Sequence, residues 1–310
     1  GAEGVSVDET VPTLPAASPA AMPAALTAYS GWYGATSVQY RGTVSADGHL
    51  TLHCLNYPSI PDQIFIYYSD GTFRDPSGTL LLSFVQEKNG ETYLYQKAFS
   101  TLPGLGTLPV SNYAAVKLPD NAVSAEVQAA WDKVQAMNVL PLTEKYTSQV
   151  YLSMGNADTG EAPELIPGYL GAARIADAQS ALYVPQLPGV GGRDGQDLRF
   201  YQENGVTYFT ANNSLYMDAA AAPVLFTGAG WSYSTIQDNG YARWYHVGSA
   251  AGKTMTVHAA GTGGFWVYDA QGQVVASSVL WDDTSVTLPS GGLVVFAGDP
   301  GARFHLRFQG

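Results

Sequence analysis

Residues 84–95 read FVQEKNGETYLY, and residues 200–209 read FYQENGVTYF. Both stretches alternate apolar and polar side chains around an Asn-Gly pair, which is the pattern of two antiparallel strands joined by a tight turn. The order Phe, Gln, Glu, Asn, Gly, Thr, Tyr is the same in both if Lys88 is an insertion in the first copy. The two hairpins predict a β-rich chain with an internal duplication, unless restricted turn chemistry alone made them alike.

Further hairpins surround the first copy. The stretches YRGTVSADGHLTLHCL at 40–55 and IFIYYSDGTFRD at 64–75 alternate in the same way around Asp47-Gly48 and Asp70-Gly71. Such dipeptides supply the positive φ that two-residue hairpin turns need. We therefore expect two-residue turns at all three positions of this region, Asn89-Gly90 included.

The composition agrees with a β-rich chain. Hydrophobic residues make up 46% and charged residues 13% of the 310 residues, with 34 Gly and 20 Tyr. The net charge of −12 and the 14 thinly spread Lys and Arg argue against nucleic acid as a partner. No apolar run is long enough to span a bilayer, so we predict no membrane insertion. The single cysteine, Cys54, cannot form an internal disulfide.

Changes of sequence pattern divide the chain into five predicted segments. One segment is a helix, because Val123, Val127, Trp131 and Val134 recur at helical spacing in residues 121–138, with Asn121 or Ser124 as its cap. The predicted segments are a disordered linker at 1–28, a β unit at 29–119, the linking helix at 120–142, a second and shorter β unit at 143–222, and a C-terminal β-sandwich at 223–310.

The familiar patterns around a catalytic serine do not occur in the sequence. No serine lies in a G-x-S-x-G turn or in an S-x-x-K pair, and Lys253-Thr254-Met255 departs from a K-T-G element at its third residue. Gly189–Gly192 follows Pro188 and is interpreted as a loop, which makes dinucleotide binding improbable. We therefore predict no catalytic residues and no cofactor.

The histidines do not predict a metal site. His49 and His53 lie on one face of a strand but about 13 Å apart, too far to share a zinc ion. Cys54 is interpreted as a small buried thiol. The turn Asn156–Glu161 resembles half of a calcium loop, but a solvated Asx turn explains it better.

Tryptophans are the candidate ligand-binding residues. Flat rings on a sheet surface can stack on sugars, although rings in β-sandwiches more often belong to the core. Trp281 is the strongest candidate because it follows a strand and begins the polar turn Trp281-Asp282-Asp283. Trp266 and Trp244 are the other possible stacking residues.

Three longer stretches carry a resemblance to a known family. They read YSGWYGATSVQYRGTVSADGHLTLHCLNYP at 29–58, YYSDGTFRDPSGTLLLSFVQEKNGETYLYQKAF at 67–99 and AAWDKVQAMNVLPLTEKYTSQVYL at 129–152. They resemble the region that follows the catalytic domain in bacterial serine hydrolases of the class C β-lactamase and penicillin-binding-protein-like group. In that family the trailing modules are β-rich and often lipocalin-like, so the resemblance implies a lipocalin-like β unit at 29–119.

The resemblance implies a function without an active site. We expect a non-catalytic accessory region of a secreted or cell-surface bacterial serine hydrolase, partnered by its own upstream catalytic domain and serving domain packing, substrate access or cell-wall positioning. The Ala- and Pro-rich residues 1–28 fit a linker from that domain. Two alternatives remain: a module that binds carbohydrate or cell-wall glycan, and a lipocalin-like barrel that binds a small apolar ligand.

Overall fold

A computed structural model describes residues 16–35, 37–143, 152–153, 161–184, 187–188, 197–211, 214–228, 230–236, 241–261, 263–279 and 283–310. The chain forms two compact units. The first consists of Gly1–Ser124, Asn156–Ile175 and Ala181–Gln196, and the second of Ala125–Gly155, Ala176–Ser180 and Asp197–Gly310. Each unit is built mainly of antiparallel strands, which confirms the predicted fold class.

The regular elements follow one another along the described chain with short connections. In order, they are β1 (Gly31–Gly34), β2 (Gln39–Val44), β3 (His49–Cys54), β4 (Gln63–Tyr67), β5 (Phe73–Arg74), β6 (Leu80–Gln86), β7 (Thr92–Leu102), β8 (Gly106–Lys117), α1 (Ala125–Gln135), β9 (Asn138–Pro141), β10 (Leu152–Ser153), β11 (Tyr169–Leu170), β12 (Ala173–Ile175), β13 (Ser180–Tyr183), β14 (Leu198–Glu203), β15 (Val206–Ala211), β16 (Ser214–Asp218), β17 (Ser232–Thr235), β18 (Ala242–His246), β19 (Thr254–Ala260), β20 (Gly263–Tyr268), β21 (Val274–Val279), β22 (Thr284–Thr287), β23 (Leu293–Gly298) and β24 (Arg303–Gln309). Short 3₁₀ helices cover Ala24–Tyr29, Ala219–Ala221 and Gly248–Ala250.

Strands β1 to β8 form a closed barrel in chain order. Each strand pairs antiparallel with the next, and β1 pairs with β8 through Tyr33↔Lys117 and Gly34↔Val116 to close it. The strands alternate, as in β3, where Leu50 and Leu52 point inward and are buried while their neighbours are half-buried. This up-and-down order is the lipocalin-like arrangement predicted for the first β unit.

Side chains fill the barrel interior. The core cluster includes Phe65 and Phe73, each 1% exposed. The partly buried ring of Phe84 packs against this cluster. The remaining members of the cluster are Tyr33, Val44, Leu50, Leu52, Tyr67, Leu82, Leu94 and Ala115. A barrel of eight strands has an interior just wide enough for such side chains to occupy.

The segment before β1 is ordered against the barrel from residue 16 onward. Ala20 N–H donates to the Tyr67 carbonyl at 3.2 Å, and the Tyr29 ring stacks on Phe84 with centroids 4.7 Å apart. Met22 and Leu26 pack on the same core cluster. These contacts correct the prediction of a disordered linker for residues 16–28, since apolar side chains at the end of this segment cover the barrel core; residues 1–15 lie outside the described residues.

The hairpin turns of the barrel differ from the prediction. At Asn89-Gly90, Gln86 pairs with Thr92, and the Glu87 N–H donates to the Glu91 carbonyl at 3.0 Å, so the loop contains three residues rather than two. The loops at Asp47-Gly48 and Asp70-Gly71 have the same hydrogen bonds. In each loop the glycine alone has positive φ, which is the geometry of a type I turn followed by a left-handed residue.

The second copy of the hairpin does have a two-residue turn. Glu203 pairs directly with Val206, and both Asn204 (φ 52°) and Gly205 (φ 77°) are left-handed. Lys88 therefore accounts for the difference between the two loops. The other residues keep the same pairing, since Phe84↔Leu94 in the first copy corresponds to Phe200↔Phe209 in the second.

Besides the barrel, the first unit contains the antiparallel strands β11, β12 and β13. The side chain of Asn121, predicted as a helix cap, instead donates to the carbonyls of Gly168 and Ile175 at 2.8 and 2.9 Å. Helix α1 begins at Ala125, directly after Ser124, and ends at Gln135, so it is shorter than the predicted 121–138. The predicted second β unit, 143–222, is divided between the two compact units.

In the second unit, β10, β9, β16, β15 and β14 form one antiparallel sheet in that order. Helix α1 packs against it through Trp131, which is fully buried and contacts the Phe200 ring edge-to-face at 5.1 Å. The indole N–H of Trp131 donates to the Asp177 carbonyl at 2.8 Å. The helix is thereby fixed by its buried stripe, as its periodicity indicated.

The C-terminal part of the second unit is a sandwich of two four-stranded sheets, β17-β24-β19-β22 and β18-β23-β20-β21. Met255, Val257, Phe265, Phe296 and Phe304 form the centre of the core between them. Every residue of β20 and β23 is buried, because a second cluster containing Leu140 covers the other face of their sheet. Continuous apolar strands such as GGFWVY and LVVFAG are typical of a sheet covered on both sides.

Candidate functional site

A cavity of about 380 Å³ lies within the second unit, between the β9–β16–β15–β14 sheet and β18. Its size falls in the range of ligand pockets, which is about 300–1,000 Å³. The lining combines aromatic, aliphatic and polar residues: Leu142, Tyr201, Glu203, Asn204, Tyr208, Leu215, Met217, Pro223, Ala242, Arg243 and Trp244. We refer to it as the tyrosine cavity.

The β14–β15 hairpin supplies one wall of the tyrosine cavity. Tyr201 pairs with Tyr208 and Glu203 with Val206, so these side chains share one face of the hairpin. The rings of Tyr201 and Tyr208 stack with centroids 5.5 Å apart and an interplanar angle of 22°. Met217 on β16 pairs with Tyr208 and extends the wall. The left-handed Asn204-Gly205 turn fixes this register, because a one-residue slip would move both tyrosines to the other face.

Strand β18 supplies the opposite wall. Trp244 is 2% exposed, and its indole N–H donates to the Pro141 carbonyl at 2.7 Å. The neighbouring Arg243 donates from Nη1 to the Thr235 carbonyl at 3.2 Å. These bonds hold the wall in place, so the cavity is preformed.

The half-buried tyrosines and the exposed carboxylate are the groups available for chemistry. Among the described residues, no hydrogen-bond partner is found for the hydroxyls of Tyr201 and Tyr208 or for the carboxylate of Glu203. A carboxylate accepts hydrogen bonds, a phenol both donates and accepts, and the ring faces take apolar contacts. The cavity is thus equipped to bind a compact molecule that carries several hydroxyls on an apolar frame.

Two of the predicted stacking tryptophans are buried. Trp266 is 9% exposed, and the Trp244 ring packs at 5.6 Å against Tyr268 in the same core cluster. Neither indole presents a ring face at a free surface, because a layer that includes Leu140 covers this side of their sheet. Trp281, the strongest candidate, lies outside the described residues and stays a prediction.

His53 lies between two carboxylates on the outside of the barrel. Its Nδ1 is 2.6 Å from Asp62 Oδ1 and its Nε2 is 2.9 Å from Glu164 Oε1, while Arg41 Nη1 is 3.3 Å from Glu164 Oε2. The hydrogen bond to Asp62, followed by that to Glu164, raises the pKa of His53 above its ordinary value. Both nitrogens are directed at carboxylates, so we interpret this trio as an ionic clamp rather than a metal site.

The described residues contain no group of three or more His, Cys, Asp or Glu side chains arranged to hold a metal ion. His49 contacts Asp47 at 3.0 Å, separately from His53, and Cys54 is a half-buried free thiol. Of the calcium-like turn, Asn156–Gly160 lies outside the described residues, and Glu161 bonds to the backbone and hydroxyl of Ser59 at 2.7 Å. Gly189–Gly192 also lies outside them.

A second cavity of about 460 Å³ lies in the same unit beside the end of α1. Three of its polar side chains already bond to the backbone. Asp218 caps Ala220 N–H at 3.0 Å, and His246 Nε2 donates to the Ala219 carbonyl at 2.7 Å. Asp269 accepts from two backbone N–H groups of its own turn, at 2.9 Å each. The tyrosine cavity is therefore the better candidate site.

Sequence reasoning did not identify the tyrosine cavity. The signal was available in FYQENGVTYF, where alternation across a two-residue turn places Tyr201, Glu203 and Tyr208 on one face. What the sequence could not indicate is that β18 faces this wall across a gap rather than in close contact. Among the described residues, no helix is long and apolar enough to cross a membrane.

Comparisons with known proteins do not assign the chain to a family. No protein-family model matches it, and no curated protein does. A solved structure of a glycoside hydrolase family 43 arabinoxylan arabinofuranohydrolase from Bacillus subtilis, in complex with cellotetraose, aligns with 88% of this chain and 84% of its own, at 12% identity and a TM-score of 0.12. A TM-score of that size does not establish a common fold, and the match carries no weight here.

Proposed function

We propose that this chain is a non-catalytic binding region and that the tyrosine cavity takes a carbohydrate. The observation that carries the proposal is the face of the β14–β15 hairpin, where two stacked tyrosines and a carboxylate line a cavity of about 380 Å³. Sugar rings have apolar faces and hydroxyl edges. The tyrosine rings suit the faces, and Glu203 and the phenols suit the hydroxyls.

The packed barrel does not favour the alternative of a small apolar ligand inside it. That alternative requires a deep interior cavity, whereas Leu50, Phe65 and Phe73 are 0–1% exposed and contact one another in a single cluster. A ligand could enter only by displacing these side chains. Among the described residues, the open, partly polar cavity of the second unit is the better binding site.

Isothermal titration calorimetry of the chain with soluble cell-wall glycan fragments and neutral oligosaccharides tests the proposal. Tyr201→Ala and Tyr208→Ala should each weaken binding by about tenfold, since a lost ring contact is worth about 0.5–1.5 kcal/mol and the second ring loses its stacking partner. Tyr216→Ala is the matched control, because Tyr216 lies on the adjacent strand and pairs with Phe209, on the opposite face from the cavity. Equal affinities for parent and both cavity variants, with all proteins folded, would contradict the proposal.

We further propose that the binding region belongs to a secreted or cell-surface bacterial serine hydrolase and is extracytoplasmic. Two observations support this proposal. Regions that follow such catalytic domains resemble residues 29–58, 67–99 and 129–152, and the chain has no S-x-x-K or G-x-S-x-G pattern. The region would place its parent enzyme on cell-wall glycan or shape access to the catalytic domain.

Two measurements test this second proposal. The reading frame upstream of Gly1 should encode a domain with an S-x-x-K motif, and a frame without one removes the proposed parent enzyme. The isolated chain should not turn over a β-lactam or ester reporter. Turnover that a single point substitution abolishes would show that the chain is itself an enzyme.

A further inference from the structure

One sheet of the C-terminal sandwich has an outer face unlike the rest of this acidic chain. In β24 the buried Phe304 and Leu306 alternate with Arg303, His305 and Arg307, which point away from the core. The chain has only 14 Lys and Arg against 26 Asp and Glu. Two arginines and a histidine on alternate positions of one strand therefore form a local basic surface.

Aromatic and imidazole rings flank the arginines on this face. Tyr233 pairs with His305, which pairs in turn with His258, so the three side chains form a row across β17, β24 and β19. Neighbouring ring centroids in the row are 6.2 and 6.1 Å apart. Tyr233 is 68% exposed and Trp231, two residues earlier, is 50% exposed. We call Trp231, Tyr233, His258, Arg303, His305 and Arg307 the basic platform.

The arginines of the basic platform are free to bind an anion. The guanidinium of Arg303 lies 5.5 Å from the centroid of the Tyr233 ring, which orients it without neutralising it. Among the described residues, no carboxylate forms an ion pair with Arg303 or Arg307. Asp283, a carboxylate beside the platform, is bonded to His258 Nδ1 at 2.6 Å. Two unpaired guanidinium groups thus remain on an exposed sheet.

The spacing of these groups fits an extended polymer better than a small anion. Arg303 and Arg307 are four residues apart on one strand, which separates their Cα atoms by about 13 Å. Side chains on one face of a strand stand roughly perpendicular to the sheet, so the two guanidinium groups suit successive charges of a chain with repeated carboxylates better than one small anion. The exposed rings of Trp231 and Tyr233 offer flat apolar surfaces of the kind on which sugar rings stack.

We propose that the basic platform binds an acidic polysaccharide that carries uronate carboxylates. Arg303 and Arg307 each pair with a carboxylate, and Tyr233 and Trp231 contact the sugar rings between them. This surface is separate from the tyrosine cavity, so the inference does not depend on the proposed function. An aromatic platform without arginines would suit a neutral glycan, and arginines without exposed rings would suit any polyanion.

Binding of the full chain to polygalacturonate, measured by calorimetry at low and at 0.5 M salt, tests the proposal. We expect binding that weakens at high salt, because the screening length of exposed charges falls from about 30 Å at 0.01 M salt to between about 3 and 10 Å at 0.5 M. The double variant Arg303→Gln/Arg307→Gln should lose about tenfold or more in affinity, and Tyr233→Ala about fivefold. Neutral dextran should not bind this surface.

Matched controls separate the platform from general charge and exposure. Lys88→Gln/Arg199→Gln removes two positive charges from exposed residues on other hairpins, and Phe226→Ala removes a ring that is 73% exposed elsewhere. Both should bind polygalacturonate like the parent. The proposal is overturned if these controls lose as much affinity as the platform variants, or if dextran binds as well as polygalacturonate and loses affinity in the platform variants. Tighter binding of duplex DNA than of polygalacturonate would also overturn it.

Discussion

Replacing His53 with glutamine tests the ionic clamp on the barrel. A neutral imidazole carries one N–H and can donate to one carboxylate only, whereas His53 faces Asp62 at 2.6 Å and Glu164 at 2.9 Å. The doubly protonated ring is therefore the form that this site stabilises. Arg41 on the adjacent strand is a further charged group at this site. Its guanidinium lies 3.3 Å from Glu164 and offsets part of the negative charge of that carboxylate.

The size of the effect follows from the exposure of the partners. The side chains of Asp62 and Glu164 are 45% and 44% exposed, so each pair is worth at most about 1 kcal/mol, while His53 itself is 12% exposed. We expect His53→Gln to lower the free energy of unfolding by about 1–2 kcal/mol at pH 5.5. Glutamine can still donate to one carboxylate, and the partners are partly exposed, so the loss stays below the roughly 3–5 kcal/mol of breaking a buried ion pair.

The pH dependence has a definite sign. Because the folded-state pKa of His53 is raised, the stabilisation is fully present below the unfolded-state pKa of about 6.5 and is lost as the pH rises through the folded-state value. The difference between parent and variant should therefore be largest at pH 5.5 and small at pH 9. The reverse trend would mean that the folded state prefers the neutral ring.

Calorimetric unfolding at the two pH values measures the loss of unfolding free energy. An NMR titration of the imidazole C–H signals measures the pKa of His53. His49→Gln is the control, since His49 has one carboxylate contact, with Asp47 at 3.0 Å, and both side chains are well exposed. It should change stability much less. A loss in His53→Gln that is equal at pH 5.5 and pH 9, or a His53 titration at or below about 6.5, would refute the clamp.

Two further substitutions and one deletion test the fold by thermal unfolding. Gly168→Ala should cost about 2–4 kcal/mol, because Gly168 has a φ of +80° and an added Cβ would lie 2.0 Å from the Asn121 carbonyl oxygen; an unchanged Tm would contradict this contact. Phe65→Ala should cost about 3–5 kcal/mol, since Phe65 is 1% exposed in the barrel core, whereas a loss below about 1 kcal/mol would indicate a loosely filled interior. Deleting Lys88 should leave the barrel folded with a loss of about 1 kcal/mol or less, because Asn89-Gly90 can then form the two-residue turn of the second hairpin; an unfolded product would count against the correspondence of the two hairpins.

Alternation carried most of the fold prediction. Strands such as β3 bury every second side chain, and that pattern was enough to predict antiparallel strands. The lipocalin-like arrangement of the first β unit was implied by the family resemblance. The periodicity of Val127, Trp131 and Val134 likewise located the helix, although not its first turn. At that end Asn121 binds the carbonyls of Gly168 and Ile175, a long-range interaction that no local pattern can reveal.

Turn lengths and buried tryptophans were harder to predict, each for a physical reason. An Asx-Gly pair fits both a two-residue turn with two left-handed residues and a three-residue turn with one, and the choice depends on the register of the strands. Trp266 lies in the continuously apolar strand GGFWVY, but the layer that covers it is formed by distant residues such as Leu140. The sequence predicts which side chains share a face of a strand but not whether that face is covered.

The two copies of the hairpin illustrate this limit directly. Tyr93 in the first copy and Tyr208 in the second occupy corresponding positions, paired with Val85 and Tyr201. In the first copy a cluster that includes Ile166 and Tyr169 covers this face and leaves Tyr93 only 2% exposed.

The carboxylates before the two turns differ in the same way. Glu87 in the first copy accepts a hydrogen bond from Tyr113, whereas no partner for the corresponding Glu203 is found among the described residues. Tyr201 and Tyr208 remain half-buried at a cavity. One hairpin sequence thus gives a structural element where later segments cover its outer face, and a candidate binding surface where that face stays open. Corresponding side chains therefore have different roles, because different segments pack against them. For this reason the sequence predicted a scaffold for both hairpins and did not indicate that the second one lines a candidate site.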